Sequence, residues 1–321
     1  MYIQSFYFQA HDLEPSSKEY TKSRKRTNTS LQEEASEVSV KLWNLLPVEL
    51  RKADIIFFTN GINTTFVGSR VAPIIQRSLG IQDALCFDLG NSCISTMEAI
   101  YFAAEFSKKI DTDFAVLIVS VDCLSQFARP EYMIVKSTLA YWADGMGAML
   151  LTNHTTPFGH NLRVVDTQFL YEGRFAEMEY FSPEHVRNLF QLAFSLKKYT
   201  ANMRGFSEFF EEGMRTLISR ILTANRWDIS GLWRITLPNT LGKKERILQE
   251  ILGSASDRTF CTVKKFGHMG TVDLIANLGE LAQSVPNRGR IMSLSIGNGY
   301  SLGAMLIEKA QFDDDSSGNH R

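Results

Sequence analysis

The chain has 321 residues, of which 44% are hydrophobic and 21% are charged, a composition typical of a globular protein whose length suggests two domains. Because 34 Lys and Arg residues are balanced by 35 Asp and Glu residues, the net charge of −1 provides no basic field for nucleic-acid binding. No apolar run reaches the roughly 18 to 20 residues of a membrane span, and residues 1–11 are too polar and too short for a signal peptide, so we expect a cytoplasmic protein.

Both ends of the chain are predicted to lie outside the core. Residues 12–37 are polar and charged, and the basic run at residues 22–26 is interpreted as a solvated surface, with contact to an anionic partner as the alternative. Residues 309–321 contain Asp313, Asp314 and Asp315 followed by small polar residues, which predicts a disordered acidic tail.

Between these ends, short apolar runs alternate with helical periodicities, which predicts an α/β fold. Strands are predicted at residues 54–59, 84–89, 113–121, 147–151, 232–237, 260–264, 291–296 and 303–307. Helices are predicted at residues 32–45, 72–79, 93–107, 206–224, 243–252 and 271–283. Because the strands are continuously apolar, we expect them to be buried on both faces in a sheet that helices cover.

Four elements of the first half recur in the same order in the second half. The strands DIIFFTNG (54–61) and WRITLPN (233–239) both end at Asn, and the turns at 87–93 and 265–270 both lead into helices. The strands at 113–121 and 291–296 follow, and GAMLL (147–151) is nearly repeated as GAMLI (303–307). The pattern predicts two similar halves, residues 1–155 and 156–308, with the site where they meet.

Cys93 is the first candidate for chemistry. It follows the predicted strand 84–89 and opens a predicted helix, where the positive end of the helix dipole and free N–H groups favour a thiolate and hold an oxyanion. A small buried hydrophobic residue is the alternative, and it is the interpretation preferred for Cys86, Cys123 and Cys261, which lack CxxC spacing and are expected to be free thiols.

Three further turns carry candidate partners for Cys93. His268 lies at the equivalent turn of the second half and is predicted to act as a base or hydrogen-bond donor, with a surface or capping histidine as the alternative. Asn239 ends its strand with an amide donor, and the glycines of Gly297-Asn298-Gly299 allow close backbone approach. The other histidines have no metal-ligand spacing, so no metal is predicted: His11, His154, His160, His185 and His320.

With these turns and the duplication, the chain resembles the β-ketoacyl-acyl-carrier-protein synthase III group of the thiolase superfamily. The matching segments are FDLGNSCISTMEAI (87–100), WADGMGAML (142–150), WRITLPN (233–239), KKFGHMGTVDLIANL (264–278) and SIGNGYSLGAMLIE (295–308). The resemblance implies a five-layer αβαβα sandwich, a homodimer and acyl transfer through a cysteine thioester. Coenzyme A or a carrier-protein phosphopantetheine would supply the acyl group, with no permanently bound cofactor.

The chain departs from the family pattern at the site. Condensing members carry His directly after the proline matched by Pro238, and Asn directly after the glycine matched by Gly267. Here those positions hold Asn239 and His268, so the pair is exchanged. Gly242 stands near a position where the family has an asparagine of the pantetheine tunnel.

The resemblance also bears on the carrier protein. Family members present basic residues to an acidic carrier protein where this chain has Lys243, Lys244 and Arg246, although an ordinary solvated helix face is equally consistent with these charges.

Two classes of function follow from these observations. The first is an acyl-transferring or condensing enzyme in which Cys93 carries the acyl group, backbone N–H groups at Cys93, Gly297 and Gly299 hold the oxyanion, and His268 with Asn239 activates the second substrate. The exchanged pair favours secondary metabolism over the initiation of fatty-acid synthesis. The alternative is a noncatalytic subunit that pairs with an active homologue.

Overall fold

The computed structural model of the protein describes residues 1–10, 30–61, 70–123, 143–175, 189–240, 242–297 and 301–311. For residues 189–204 and Lys243 it describes the backbone only. Three predicted features therefore lie wholly or mostly outside the described residues: the basic run at 22–26, Gly299, and the acidic tail predicted at 309–321. The start of the tail prediction is wrong, because Lys309 pairs as the last residue of a strand.

Ten strands and seven α-helices are found in these ranges. The strands are β1 (Tyr2–Ala10), β2 (Ile55–Thr59), β3 (Leu85–Leu89), β4 (Ala115–Asp122), β5 (Gly145–Thr152), β6 (Leu162–Tyr171), β7 (Arg234–Thr236), β8 (Thr259–Phe260), β9 (Arg290–Gly297) and β10 (Ser301–Lys309). The helices are α1 (Leu31–Leu45), α2 (Ala72–Leu79), α3 (Ser95–Ser107), α4 (Leu189–Ala224), α5 (Lys243–Leu252), α6 (Val263–Phe266) and α7 (Val272–Ala282). None of these helices combines the length and the apolar character that a membrane crossing requires.

The strand order shows a duplicated topology. The sheet runs β3-β2-β4-β5-β1-β6-β10-β9-β7-β8, and read from its two ends it pairs β3 with β8, β2 with β7, β4 with β9, β5 with β10 and β1 with β6. In each half the first three strands are parallel and the next two are antiparallel. The two halves meet where Tyr2 and Ile3 of β1 pair with Arg163 and Leu162 of β6.

Helices and half-sheets alternate in five layers. Helices α3 and α7 form the middle layer, and Ile100 and Ile275 pack there against residues from both half-sheets. Helices α1 and α2 cover the outer face of the first half-sheet, as shown by the contacts of Val38 and Ile75. Helices α4 and α5 cover the second, through residues such as Leu217. The predicted α/β fold and the five-layer arrangement are therefore confirmed.

Two strand predictions are wrong in part. The predicted strand at 260–264 ends at Phe260, because Thr262 N donates to Asn239 Oδ1 (3.2 Å) and Asn277 Oδ1 (2.9 Å), and the chain then enters α6. The expectation of burial on both faces fails for β3, in which Leu85 is 60% and Phe87 40% exposed, because β3 is an edge strand.

The central antiparallel pair β1 and β6 was not predicted from the sequence. In β1 the polar residues Gln4 and Ser5 interrupt the apolar pattern where the pairing register with β5 shifts. Gln4 is nevertheless buried, because its amide nitrogen donates to Thr152 Oγ1 at 2.8 Å. A prediction based on hydrophobicity misses such a strand, because it takes a buried, hydrogen-bonded polar side chain for an exposed one.

Candidate active site

Cys93 lies in a tight turn between β3 and α3. A single 3₁₀ turn spans Ser92–Ile94 and α3 begins at Ser95, two residues after the cysteine. The Ser95 hydroxyl closes the turn, because it accepts from Asn91 N (2.7 Å) and donates to Ser92 O (2.8 Å). Ser92 has a φ of 60°, a left-handed conformation that costs energy for a residue with a side chain and is concentrated at functional sites.

His268 faces Cys93 from the equivalent turn of the second half. The turn lies between α6 and α7, and Gly267 and Gly270 give it backbone φ angles of 78° and 59°. His268 is 7% exposed, and its Nε2 lies 3.4 Å from Cys93 Sγ. The two residues that the duplication predicted to share a cavity are therefore in contact across the halves.

Asp273, in the first turn of α7, completes a chain of three side chains. Its Oδ2 accepts a hydrogen bond from His268 Nδ1, so that Nε2 is turned toward Cys93. Its Oδ1 accepts from Met269 N (2.7 Å) and from Asn239 Nδ2 (3.0 Å). The carboxylate is 6% exposed and is held on both oxygens, so it fixes the tautomer and the orientation of the imidazole.

The charges in this chain of side chains favour a protonated His268. Burial by itself lowers the pKa of His268, but the charges of Asp273 and Cys93 outweigh burial and raise the pKa well above 6.5. Burial raises the pKa of Cys86, Cys123 and Cys261 and keeps these three thiols protonated.

Asn239 supports Asp273 and has no hydrogen bond to Cys93. It is fully buried, and its Nδ2 donates to Asp273 Oδ1 (3.0 Å), Thr262 Oγ1 (2.9 Å) and Gly267 O (3.1 Å). An amide has two hydrogens, so these three acceptors already engage both of them. The structure thus places Asn239 behind the His268 turn, whereas the sequence suggested a donor that points into the cavity.

Asp122, at the end of β4, anchors the same turn from the first half. Its Oδ2 accepts from Thr271 N (2.7 Å) and Thr271 Oγ1 (2.8 Å), and its Oδ1 accepts from Gly61 N (2.8 Å). Burial raises the pKa of Asp122 to about 6, although the hydrogen bonds from Thr271 and Gly61 oppose this rise. A Cβ at Gly270 would overlap the Asp122 carboxylate, so only glycine fits there.

Gly297, at the end of β9, lies against the Cys93 turn. A Cβ at this position would overlap the Ser301 hydroxyl, and it would lie 3.0 Å from Ile94 Cγ2 and 3.3 Å from Asn91 O. Only glycine permits this close approach. The oxyanion role of Gly297 stays a prediction.

The predicted carrier-protein residues lie at the start of α5. Arg246 is exposed, and Lys244 Nζ lies 5.3 Å from the centre of the Phe206 ring, a cation–π contact. For Lys243 only the backbone position is described. Their role toward a carrier protein stays a prediction. No group of three or more His, Cys, Asp or Glu residues able to hold a metal ion occurs in the part of the chain that the structure describes.

Comparison with known proteins places this geometry in context. No protein-family model matches the chain. A β-ketoacyl-acyl-carrier-protein synthase III of Pectobacterium atrosepticum is 26% identical over 242 residues, which are 73% of this chain and 70% of that protein. The chain is therefore similar to a synthase III protein over nearly three quarters of its length. The resemblance drawn from the sequence motifs is thereby confirmed.

Solved structures share the fold of this chain. The acyltransferase ChlB3 superposes with a TM-score of 0.78 at 15% identity, covering 97% of this chain and 98% of that chain. The 3-oxoacyl-acyl-carrier-protein synthase III of Aquifex aeolicus gives a TM-score of 0.76 at 16% identity, with 96% and 99% coverage. The thiolase-like fold is therefore shown over nearly the whole chain.

The sequence analysis missed Asp273 and Asp122. The signal for Asp273 was available, because an acidic residue five positions after His268 falls in the first turn of the helix predicted at 271–283. No local sequence pattern indicated Asp122, because its partner Thr271 in the His268 turn lies 149 residues away in the chain and is brought near only by folding.

Proposed function

We propose that the protein is an acyl-transferring enzyme of the ketosynthase III type. In it, Cys93 takes an acyl group from a coenzyme A or phosphopantetheine thioester and passes it to a hydroxyl or amine. The observation that carries the proposal is the 3.4 Å contact between Cys93 Sγ and His268 Nε2, with His268 Nδ1 held by Asp273. The names of the synthase III relative and of the acyltransferase ChlB3 support it. The same contacts favour an enzyme over a noncatalytic partner subunit.

In the first half-reaction, Cys93 Sγ transfers its proton to His268 Nε2 and attacks the thioester carbonyl. The tetrahedral intermediate then collapses and expels the donor sulfur. The donor sulfur takes the proton from His268 Nε2, which leaves a Cys93 thioester and a neutral imidazole. Backbone N–H groups at Cys93 and Gly297 are proposed to hold the oxyanion.

The second half-reaction is where transfer and condensation differ. Decarboxylative condensation requires donors that stabilise an enolate as carbon dioxide leaves, whereas transfer to a hydroxyl or amine requires a general base. Both amide hydrogens of Asn239 are engaged away from Cys93, while the neutral His268 left by the first step is a base directly beside the thioester. This arrangement favours transfer, in which His268 takes the acceptor proton and Cys93 leaves as the thiolate.

Intact-protein mass spectrometry tests the first half-reaction. The protein is incubated with a panel of acyl-coenzyme A and acyl-carrier-protein thioesters, and we expect a single acyl adduct that Cys93→Ala abolishes. Cys86→Ala is the matched control, because Cys86 is also half-buried and its pKa is raised; this variant should load normally. No adduct with any donor, or an adduct that survives Cys93→Ala, would refute the proposal that Cys93 forms an acyl-enzyme.

Product analysis of the acyl-enzyme tests the second half-reaction. The loaded protein is exposed separately to a malonyl thioester and to hydroxyl and amine acceptors. Transfer predicts esters or amides and no release of carbon dioxide. A β-ketoacyl product formed with release of carbon dioxide would instead show condensation.

A second copy of the chain is proposed to pair along the outer edge of β3. Leu85 (60% exposed) and Phe87 (40% exposed) present an apolar face on this edge strand, and such edges are normally protected. Analytical ultracentrifugation should show a dimer for the wild type and a shift to monomer for Phe87→Lys. A monomeric wild type would contradict this pairing. The cytoplasmic location and the role in secondary metabolism stay predictions.

A further inference from the structure

A cavity of about 530 Å³ lies between α3 and β6. The cavity lies along the part of β6 that does not pair with β1. Only two residue pairs join these strands near the start of β6, whereas β6 continues to Tyr171. Its main lining residues, which define the aromatic cavity, are Glu98, Tyr101, Thr167, Phe169, Tyr171 and Arg220. This volume is within the range of small-molecule sites, which span about 300 to 1,000 Å³.

Aromatic rings form the walls of the cavity. The Tyr101 ring meets the Phe169 ring edge to face at a centroid distance of 5.6 Å, and Phe169 lies 5.9 Å from the Tyr171 ring. Arg220 closes one side, where its guanidinium donates to Gln168 Oε1 and Phe169 O. Walls of this kind suit a flat aromatic group.

Two polar groups face this apolar space with unused hydrogen-bonding capacity. Glu98 is 8% exposed, and its Oε1 accepts from Asn91 Nδ2 (2.5 Å) and from the Tyr171 hydroxyl (2.6 Å). No described residue bonds to its other oxygen, Oε2. Thr167, also 8% exposed, has a buried hydroxyl without a partner among the described residues. The buried hydroxyl of Thr167 without a partner is costly and indicates a missing ligand group, and Glu98 Oε2 is a further acceptor beside it.

The aromatic cavity lies near the Cys93 turn. Glu98 follows Cys93 by five residues, through the end of the 3₁₀ turn and into α3, which corresponds to a rise of roughly 8 Å. Asn91, which bonds to Glu98, is itself part of the turn that closes around Cys93. An acyl group attached to Cys93 and directed along α3 therefore reaches Glu98 if it is about as long as an arylpropionyl chain.

We propose that the aromatic cavity binds the distal end of the acyl group, and that it selects an aromatic ring bearing a hydroxyl. The ring packs between Tyr101, Phe169 and Tyr171, and its hydroxyl donates to Glu98 Oε2 while Thr167 Oγ1 lies at the same wall. Glu98 is then a specificity-determining residue, because an unhydroxylated ring would cover Glu98 Oε2 without supplying a hydrogen bond to it, and such binding is penalised. The inference rests on the proposed acyl-enzyme and names its substrate class.

A matched pair of thioesters tests the proposal. The N-acetylcysteamine thioesters of 3-(4-hydroxyphenyl)propionate and 3-phenylpropionate differ only in the hydroxyl, and the acetyl thioester serves as a reference. The rate of Cys93 acylation is followed by intact-protein mass spectrometry. We expect the hydroxylated probe to load about tenfold faster than its partner, the ratio for one hydrogen bond to a charged group.

Variants on α3 assign this preference to one carboxylate. Glu98→Gln should lower the preference severalfold while the 3-phenylpropionyl probe still loads, because the charged acceptor is replaced by a neutral amide, whose hydrogen bond to the hydroxyl is weaker. Glu105→Gln is the matched control on the same helix; Glu105 pairs with Lys108 at the surface (2.6 Å), and this variant should keep the wild-type ratio. If Glu98→Gln does not fold, Tyr171→Phe serves instead, since it frees Glu98 Oε1 and is expected to alter the ratio.

The possible results separate the two proposals. Two results would refute the proposed role of the aromatic cavity without affecting the proposed acyl-enzyme. The first is acetyl loading without any preference between the aryl probes, and the second is an unchanged preference in both Glu98→Gln and Tyr171→Phe. Failure of all three thioesters to load overturns the acyl-enzyme and the acyl subsite with it.

Discussion

Replacing Asp273 with asparagine tests how the site activates Cys93. In Asp273→Asn the amide oxygen can still accept from Met269 N and Asn239 Nδ2, so the turn keeps these two contacts. The amide nitrogen then faces His268 Nδ1 and donates to it. Nδ1 therefore loses its proton, Nε2 carries one, and the imidazole can no longer accept a proton on the side of Cys93.

The size of the effect follows from the burial of this pair. Asp273 is 6% and His268 7% exposed, so solvent screens their interaction little. A hydrogen bond to a charged group contributes about 1.5 to 3 kcal/mol, which corresponds to roughly 10- to 150-fold in rate. We therefore expect the acylation rate of Cys93 at pH 7 to fall by about 100-fold.

The assay is alkylation of Cys93 by iodoacetamide across pH, combined with acyl loading at pH 7. The carboxylate raises the pKa of His268, so the imidazolium persists in the wild type until the pH exceeds that raised value. Without the carboxylate the imidazolium is lost at lower pH, and alkylation of Cys93 should be slower near neutral pH and follow a different pH profile. Glu280→Gln on the same helix, which pairs only with Lys265 among the described residues, is the control. A wild-type rate and pH profile in Asp273→Asn would refute this account of the site.

Three further changes probe the groups around the site. Gly297→Ala should slow acylation about tenfold without loss of folding, because the new Cβ overlaps Ser301 and displaces the Cys93 turn. The acyl-loading rate measures this effect, and circular dichroism checks the folding. Normal loading would contradict the prediction. Asn239→Leu should lower kcat with little change in KM, since it releases the Asp273 carboxylate and contacts no substrate; a rise in KM alone would place Asn239 in the binding cavity. Asp122→Asn should flatten the pH dependence of stability. Because burial raises the pKa of Asp122 from 3.8 to about 6, the folded state binds more protons than the unfolded state, and the wild-type free energy of unfolding should fall as pH rises from 4 to 6. Urea denaturation at each pH measures this slope, and an equal slope in the variant would exclude Asp122 as its source.

Local sequence patterns predicted much of the fold. The order of strand, turn and helix around Cys93 and around His268 is encoded in neighbouring residues, and the repeat of GAMLL as GAMLI marked β5 and β10 as equivalent strands. The signals failed where burial and polarity disagree. Buried Gln4 in β1 and exposed Leu85 in β3 both contradict the rule that apolar residues mark the interior, because a hydrogen bond satisfies the first and an open sheet edge accommodates the second.

The sequence by itself determined the duplicated α/β topology, the placement of Cys93 before a helix and the pairing of Cys93 with His268, since each follows from short-range pattern and internal repetition. Only the tertiary structure decided that Asp273 orients His268, that Asn239 holds Asp273, and that Asp122 fixes the turn from the opposite half. It also decided that Glu98 lines a cavity. The physical reason is that a side chain's hydrogen-bond partner depends on distances of a few ångströms between elements far apart in sequence, and those distances exist only after the two halves have packed around α3 and α7.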